Sequence, residues 1–449
     1  MKGRSDFTVD DEIAILSPVL RTGKGFYVAT LLLLSIMGWA FFAWLNQITF
    51  GLGVTGMNRP VYWGIYITNF VFFVGISHAG TLISAILRVT GAEWRRPITR
   101  AAEAITVFAL MVGPINVFFD LGRPDRVLNM FLNGRLQSPL IWDFVCIGTY
   151  LACSLTYLYL PLIPDIALLR DRSSKRGWLY RTLALGWTGS PGQKHRLERL
   201  ISVMAIIIIP IAISVHTVVS WVFAMTVQPM WHSTIFGPYF VVGAIFSGIA
   251  SLIIAMAVLR RVFHMERYLQ PVHFNNLGLL LLTMSLLWFY FTFAEFLTTF
   301  YGAEPAHLEV FYSKLRGEFA PLFWTMFTCC FALPFGILVF KRTRTITGTV
   351  VASIFVNIGM WLERYTIVVP SLSRPRLPYP FGKYFPTWVE LSITLGCFAA
   401  LVFFYVVFSK LFPIISVWEL KEGARAPGTG EKPAEEPAEP VYGIRVNRS

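Results

Sequence analysis

The chain has 449 residues, of which 55% are hydrophobic and only 14% charged, a balance that excludes an ordinary soluble fold of this length. The net charge of +13 would suit a nucleic-acid partner if the 38 Lys and Arg gathered on one surface. They sit instead between apolar runs, so no nucleic acid is expected as a partner, and the chain reads as a multi-spanning membrane protein surrounded by lipids.

Residues 1–25 are mixed in charge and form an N-terminal segment without a small-residue processing site. Ten apolar runs follow, at 26–45, 61–88, 98–119, 138–163, 200–227, 238–260, 274–301, 319–340, 346–369 and 385–409. They lack strand-like alternation, and an open sheet would leave unpaired edges in lipid. The expected fold class is therefore an all-α integral membrane protein with ten transmembrane helices. Between the fourth and fifth runs, the linker from Asp165 to Arg199 is basic and divides the spans into two groups. The stretch from Gly423 to Pro440 is rich in Pro, Ala and Glu, and the tail at 411–449 is expected to be largely disordered.

Ten spans put both termini on one face. That face carries 28 Lys and Arg against 9 on the other, so the positive-inside rule makes both termini cytoplasmic. All five Cys (Cys146, Cys153, Cys329, Cys330, Cys397) lie in apolar segments without CxxC spacing, and the chain itself is expected to hold no metal or iron-sulphur cluster.

An internal repeat organises the middle. Ser77-His78-Ala79-Gly80-Thr81-Leu82-Ile83 in the second span matches Ser247-Gly248-Ile249-Ala250-Ser251-Leu252-Ile253 in the sixth, and Ser138-Pro139-Leu140-Ile141-Trp142-Asp143 in the fourth matches Ala320-Pro321-Leu322-Phe323-Trp324-Thr325 in the eighth. A separation of four spans preserves direction, so spans 2–5 and 6–9 read as two parallel four-helix bundles with two peripheral helices. The units are 26–60 (first span and outer loop), 61–227 (first bundle), 228–369 (second bundle) and 370–410 (tenth span). His78 aligns with Gly248 and Asp143 with Thr325, which places the chemistry in the first bundle. A charge at mid-membrane costs at least ~2.5–3.5 kcal/mol on insertion scales, so it persists where it faces a cavity or a partner.

Asp143 falls about one turn inside the outer surface, with Ser138 as the expected N-cap and Pro139 opening the helix. Asp120 and Arg123 lie at the outer corner Asp120-Leu121-Gly122-Arg123-Pro124-Asp125-Arg126, where Gly122 and Pro124 end the third span and two Arg offset the acids. His78 lies roughly 15 Å from the inner edge at ~1.5 Å per residue and His216 in the outer half, so that the two bracket a path. Glu295, Glu363 and Arg364 occupy outer parts of the seventh and ninth spans, and Glu363 with Arg364 reads as a buried charge pair locking helices together. The remaining histidines, His195, His232, His264, His273 and His307, are expected at the surface.

A hydroquinone loses protons as its electrons leave, and its tail enters from lipid. Its site needs a proton acceptor near each hydroxyl, an apolar wall and a route to water. His78 and Asp143 suit the acceptors, Trp142 the wall, and Asp120 a relay outward. The electrons then require a partner with metal clusters, most economically at the outer face.

Gly75-Ile76-Ser77-His78-Ala79-Gly80, Asp120-Leu121-Gly122-Arg123-Pro124 and Ser138-Pro139-Leu140-Ile141-Trp142-Asp143 resemble the NrfD-like (polysulphide reductase membrane subunit) family over spans two to nine. With ten spans, the chain looks most like the quinol-oxidising membrane subunit of alternative complex III. The resemblance implies a bacterial cytoplasmic-membrane subunit that oxidises menaquinol or ubiquinol near the periplasmic side without haem or iron-sulphur of its own. Implied partners are a periplasmic iron-sulphur subunit, c-type cytochrome subunits and a second related NrfD-like membrane subunit. It also implies a proton route that His216, Glu295, Glu363 and Arg364 join. Two other readings stay open: a b-haem anchor with His78 and His216 as axial ligands, and a secondary transporter built on the repeat.

Overall fold

A computed structural model describes residues 8–20, 22–172 and 176–425. Among them the regular elements are all helical, and ten helices are long and apolar enough to span a membrane. A short helix, α1 (Val9–Leu20), precedes them. The spanning helices are α2 (Lys24–Phe50), α3 (Ile65–Val89), α4 (Thr99–Asp120), α5 (Pro139–Arg172), α7 (Pro191–Ala224), α8 (Phe236–Val262), α9 (Pro271–Gly302), α11 (Ala320–Leu338), α12 (Ile346–Ser373) and α13 (Trp388–Leu411). Shorter helices stand between or after them, among them α6 (Gly177–Leu183), α10 (Pro305–Leu315) and α14 (Val417–Arg425).

Local sequence sets the ends. Pro139, Pro191 and Pro271 open their helices, where the missing N–H would have lacked an intrahelical partner anyway. Ser190 caps α7 by accepting from the Gln193 N–H, and Thr345 caps α12 by accepting from that of Gly348. At the far end of α4, Gly122 adopts φ +62°, a left-handed turn that a side chain would oppose.

Two stretches are more ordered than their composition implies. The basic linker from Asp165 to Arg199 is largely helical: α5 runs through Pro161 and Pro164 to Arg172, and α7 already begins at Pro191. At ~1.5 Å per residue, helices of 34 residues exceed the ~30 Å of hydrocarbon and continue into water, where their charges belong. In the expected tail, Val417–Arg425 is helical; residues 426–449 lie outside the described residues.

The reason for that second helix is a buried charge. Arg100, 1% exposed, donates to Asp165 at 2.6 Å, to the Pro161 carbonyl at 2.8 Å and to the Pro413 carbonyl at 3.1 Å. Asp165 in turn accepts from the N–H groups of Val417 and Trp418, each at 3.0 Å, at the positive end of α14. Glu419 then pairs with Arg88 at 3.1 Å and Arg95 at 3.4 Å. On the same face, Glu12 of α1 pairs with Arg172 at 2.8 Å and Lys421 at 2.5 Å, and Asp11 with Arg267 at 2.6 Å. This terminal face is thus tied by ion pairs; the opposite one is the distal face.

Helix contacts close two rings. In the first, α3 packs on α4, α4 on α5, α5 on α7, and α7 on α3 at a π-helical turn, Thr81–Ile86. In the second, α8 packs on α9, α9 on α11, α11 on α12, and α12 on α8. Helices α3, α7, α8 and α12 form the seam between the rings, while α2 and α13 pair with each other outside the first, against α4.

Candidate functional site

The seam brings His78 and His216 into contact. Their rings stand edge to face with centroids 4.1 Å apart, inside a fully buried pocket of α3 and α7, so they touch rather than bracket a path. His78 Nε2 lies 2.9 Å from the Ala212 carbonyl and Nδ1 3.3 Å from that of Val74. A carbonyl only accepts, so the shorter contact suits an N–H on Nε2. Both ring nitrogens of His216 are buried and make no hydrogen bond among the described residues. Rings in direct contact leave no room for a macrocycle between them, so these two His do not fit as the axial pair of a haem.

Close helix approach explains the neutral residue opposite. A Cβ on Gly248 would lie 2.7 Å from Ala79 N and 3.3 Å from the His78 carbonyl carbon, so α8 needs glycine there to touch α3. Gly75 serves the same contact, with Ser247 Oγ at 3.3 Å and His216 Nε2 at 3.9 Å from its virtual Cβ. The glycine that aligns with His78 is therefore a packing residue of the seam.

Asp143 lies two turns from Tyr150 on α5, and Tyr150 is the ring beside His78, with centroids 5.5 Å apart. The carboxylate therefore sits roughly 10 Å nearer the distal face than the imidazoles. Its Oδ1 is buried and without a hydrogen-bond partner among the described residues. Neighbouring Trp142 is half-buried and its indole donates to the Leu136 carbonyl at 2.5 Å, and Trp324, its match in the second ring, donates to the Leu315 carbonyl at 3.1 Å. The same anchor therefore fastens both rings to their distal loops.

Asp120 belongs to a different neighbourhood. Its Oδ1 is also buried and unpartnered among the described residues, but it faces Tyr66 and Glu390, at the junction of α3, α4 and α13. There Gln47 donates to the Phe119 carbonyl at 2.6 Å and accepts from the Tyr66 hydroxyl at 2.6 Å. Glu390, fully buried, accepts from Tyr384 at 2.5 Å and from the backbone of Gly56 and Thr387. Arg123 does not join Asp120: it forms a bidentate pair with Asp125, at 3.0 and 2.9 Å, with both side chains exposed.

The second ring holds its own ionisable chain. Glu363 and Arg364 form a buried pair at 2.5 Å, with the Trp288 indole donating to Glu363 at 3.3 Å and the guanidinium 4.9 Å from the Phe240 ring centre. Tyr239 stands near Glu363, and Thr292 donates to the Tyr239 hydroxyl at 3.3 Å. Beyond them lies a cavity of about 30 Å³ lined by Tyr239, Thr292, Glu295 and Lys314, and Glu295 also lines an open cleft of about 380 Å³ with Ser233, Thr298, His232 and His307. His232 and His307 stack there at 5.9 Å. Burial pushes the Lys314 ammonium, on α10 outside the spans, down to about 8, although Glu295 and Glu363 act to raise it.

Several polar residues escape sequence reasoning. Glu103, buried in α4, accepts from Ser84 at 2.5 Å, and Ser84 also meets the Tyr157 hydroxyl at 3.0 Å. Glu103, Glu390 and Arg100 are charges inside apolar runs, and that is the signal by which they could be found; Lys314 carries none, because α10 reads as a loop. His273, expected at the surface, is buried and accepts from the Gln270 N–H at 3.0 Å to cap α9.

Known proteins resemble the chain along most of its length. It is 26% identical over 415 residues to a putative dimethyl sulfoxide reductase membrane protein of Halobacterium salinarum, covering 86% of this chain and 91% of that one. The Hdr-like menaquinol oxidoreductase integral membrane subunit of Archaeoglobus fulgidus is 20% identical, with 87% and 94% covered. The integral membrane subunit of menaquinone reductase from Nitratidesulfovibrio vulgaris is 21% identical, with 81% and 86% covered. The family model for polysulphide reductase, NrfD, matches residues 53–375, both rings included, and the chain belongs to that family.

Proposed function

We propose that the chain is the quinol-oxidising membrane subunit of a respiratory or photosynthetic electron-transfer complex. In this reading menaquinol or ubiquinol enters from lipid at the distal end of the first ring, beside Trp142 and Asp143. Two electrons pass to an iron-sulphur partner on the distal face and onward to c-type cytochromes, while two protons leave the hydroxyls. The distal face is then periplasmic and the terminal face cytoplasmic, as the Lys and Arg bias favours, and the membrane part is completed by a second related NrfD-like subunit.

The observation that carries the reading is the buried Asp143 oxygen with no partner among the described residues, one turn from the distal end of α5, in a family whose relatives include a menaquinol oxidoreductase subunit and a menaquinone reductase subunit. A buried carboxylate oxygen without a partner suits a proton acceptor, and a quinol hydroxyl supplies the proton. His78 and His216 stand deeper, next to the seam, as the second acceptor. From them Arg364, Glu363 and Glu295 lead through the second ring towards the distal face.

The test is quinol turnover by the purified complex. Asp143→Asn and His78→Ala each lower turnover by about 10²-fold or more, the usual scale for losing a general base, while the complex still assembles. Wild-type turnover in both assembled variants overturns the assignment.

A further inference from the structure

We infer that Glu295 and Lys314 form the proton-discharge group of the chain, with Glu295 releasing protons from the second ring into the distal cleft and Lys314 supplying the fixed charge that drives them off. The inference rests on the proton route proposed above and adds the residue that controls its exit. Lys314 lies outside the spanning helices, and only the fold brings it beside Glu295.

Three observations carry it. Glu295 and Met230 line both spaces, the water-sized inner cavity and the open cleft, so Glu295 is the ionisable member of the wall between them. It is 8% exposed and its Oε2 makes no hydrogen bond among the described residues. Lys314, 6% exposed, lines the inner cavity with it. The inner space has room for water, which needs only ~10–15 Å³ of probe-sized volume and a few polar partners; Tyr239, Thr292, Glu295 and Lys314 provide them. Beside Met230, Ile235 and Ala294 the cleft is lined by hydroxyls, imidazoles and the Glu295 carboxyl, with no Phe, Tyr or Trp among its lining residues, which suits water and protons rather than a quinone ring.

The chemistry is a pure proton transfer. A proton arriving through the inner cavity from the Tyr239 side forms an O–H bond on the Glu295 carboxylate. The neighbouring ammonium favours the ionised carboxylate, so that O–H bond breaks towards a water in the cleft, and the Lys314–Glu295 pair returns to its starting charge. The groups facing Lys314 are Glu295 of α9, Glu363 of α12 and Tyr239 of α8; α11 contributes only Phe323 and Met326. Burial holds the Lys314 ammonium at about 8, so discharge slows as the pH rises through that value.

The test uses the whole complex in sealed vesicles with a pH dye on the distal side, and quinol turnover measured separately with an uncoupler. Lys314→Met lowers the rate of proton appearance roughly tenfold, as when a carboxyl holds its proton about ten times more tightly, and abolishes its inflexion near pH 8. Lys314→Arg restores the rate and shifts the inflexion beyond the range tested, which a merely structural role would not do. Turnover with uncoupler persists in both. Wild-type proton appearance in Lys314→Met, or failure of assembled Lys314→Arg to rescue, overturns the inference. A wild-type complex without quinol turnover overturns the functional reading instead; a dye response to an imposed pH step, unchanged by Lys314→Met, would then overturn the exit independently.

Discussion

The two rings share an anchor and differ in what they enclose. Trp142 and Trp324 fasten each to its distal loop in the same way, yet the residue just before each accepting leucine has gone separate ways: Arg135 is exposed, whereas Lys314 is buried beside an acid. In the first ring, imidazoles meet without an intervening space and Asp143 waits near the rim; in the second, a carboxylate and an amine border a water-sized cavity. Duplication of a scaffold does not duplicate its electrostatics, since one position moved a few ångströms can pass from water to protein interior. The neutral Gly248 opposite His78 shows the converse, a substitution forced by contact rather than by loss of chemistry.

Several measurements probe this contrast. The largest effect is expected for Asp143→Asn on quinol turnover, about 10²-fold; Thr325→Asp, its mirror in the second ring, restores nothing in that background, and any rescue would erase the distinction between the rings. Next, Arg100→Leu leaves Asp165 buried without its cation at the base of the first ring and destabilises the detergent-purified complex by about 3–5 kcal/mol, with partial recovery when Asp165→Leu is added. Smaller still, Gly248→Ala forces α8 from α3 and costs about 1–3 kcal/mol, read as a lower melting temperature, whereas Gly336→Ala, whose virtual Cβ meets nothing within 4 Å, leaves it unchanged.

The Lys314 ammonium gives a pH test of the same contrast. Its folded value of about 8 lies below the ordinary 10.5, so the folded state binds fewer protons than the unfolded one between those values, and stability rises with pH across that window. Lys314→Met therefore stabilises the complex most below pH 8, and its advantage shrinks towards pH 10.5, as thermal unfolding at several pH values would show. The smallest effect is expected at Arg123: its pair with Asp125 is exposed, so Arg123→Ala changes turnover and melting by amounts near the limit of measurement.

Sequence is a good guide wherever a rule concerns the chain against its solvent. Length and apolarity locate the ten spans, because lipid demands helices; Gly122 marks the end of α4, because its conformation is local. It is a poorer guide wherever two distant segments meet. His78 and His216 are far apart in the chain, and neither hydropathy nor spacing says that a ring on α3 touches one on α7. Asp120 and Asp143 both read as groups of the outer rim, yet α2 and α13 draw the first away. Lys314 escapes notice because a loop lysine is ordinarily solvated, and Glu103 and Glu390 because a single charge near a helix end reads as a boundary.

The Arg100 clasp has a consequence for biogenesis. Its carbonyl acceptor at Pro413 is 313 residues downstream, and Asp165 gains its two amide donors from Val417 and Trp418. While the ribosome is still producing the second ring, the arginine and aspartate of the first have only each other and the nearby Pro161 carbonyl. The segment from Pro413 to Trp418, translated after both rings, thus works as a latch, and a polypeptide halted before it would present an incompletely satisfied charge at the bilayer edge, a ready mark for proteolytic surveillance.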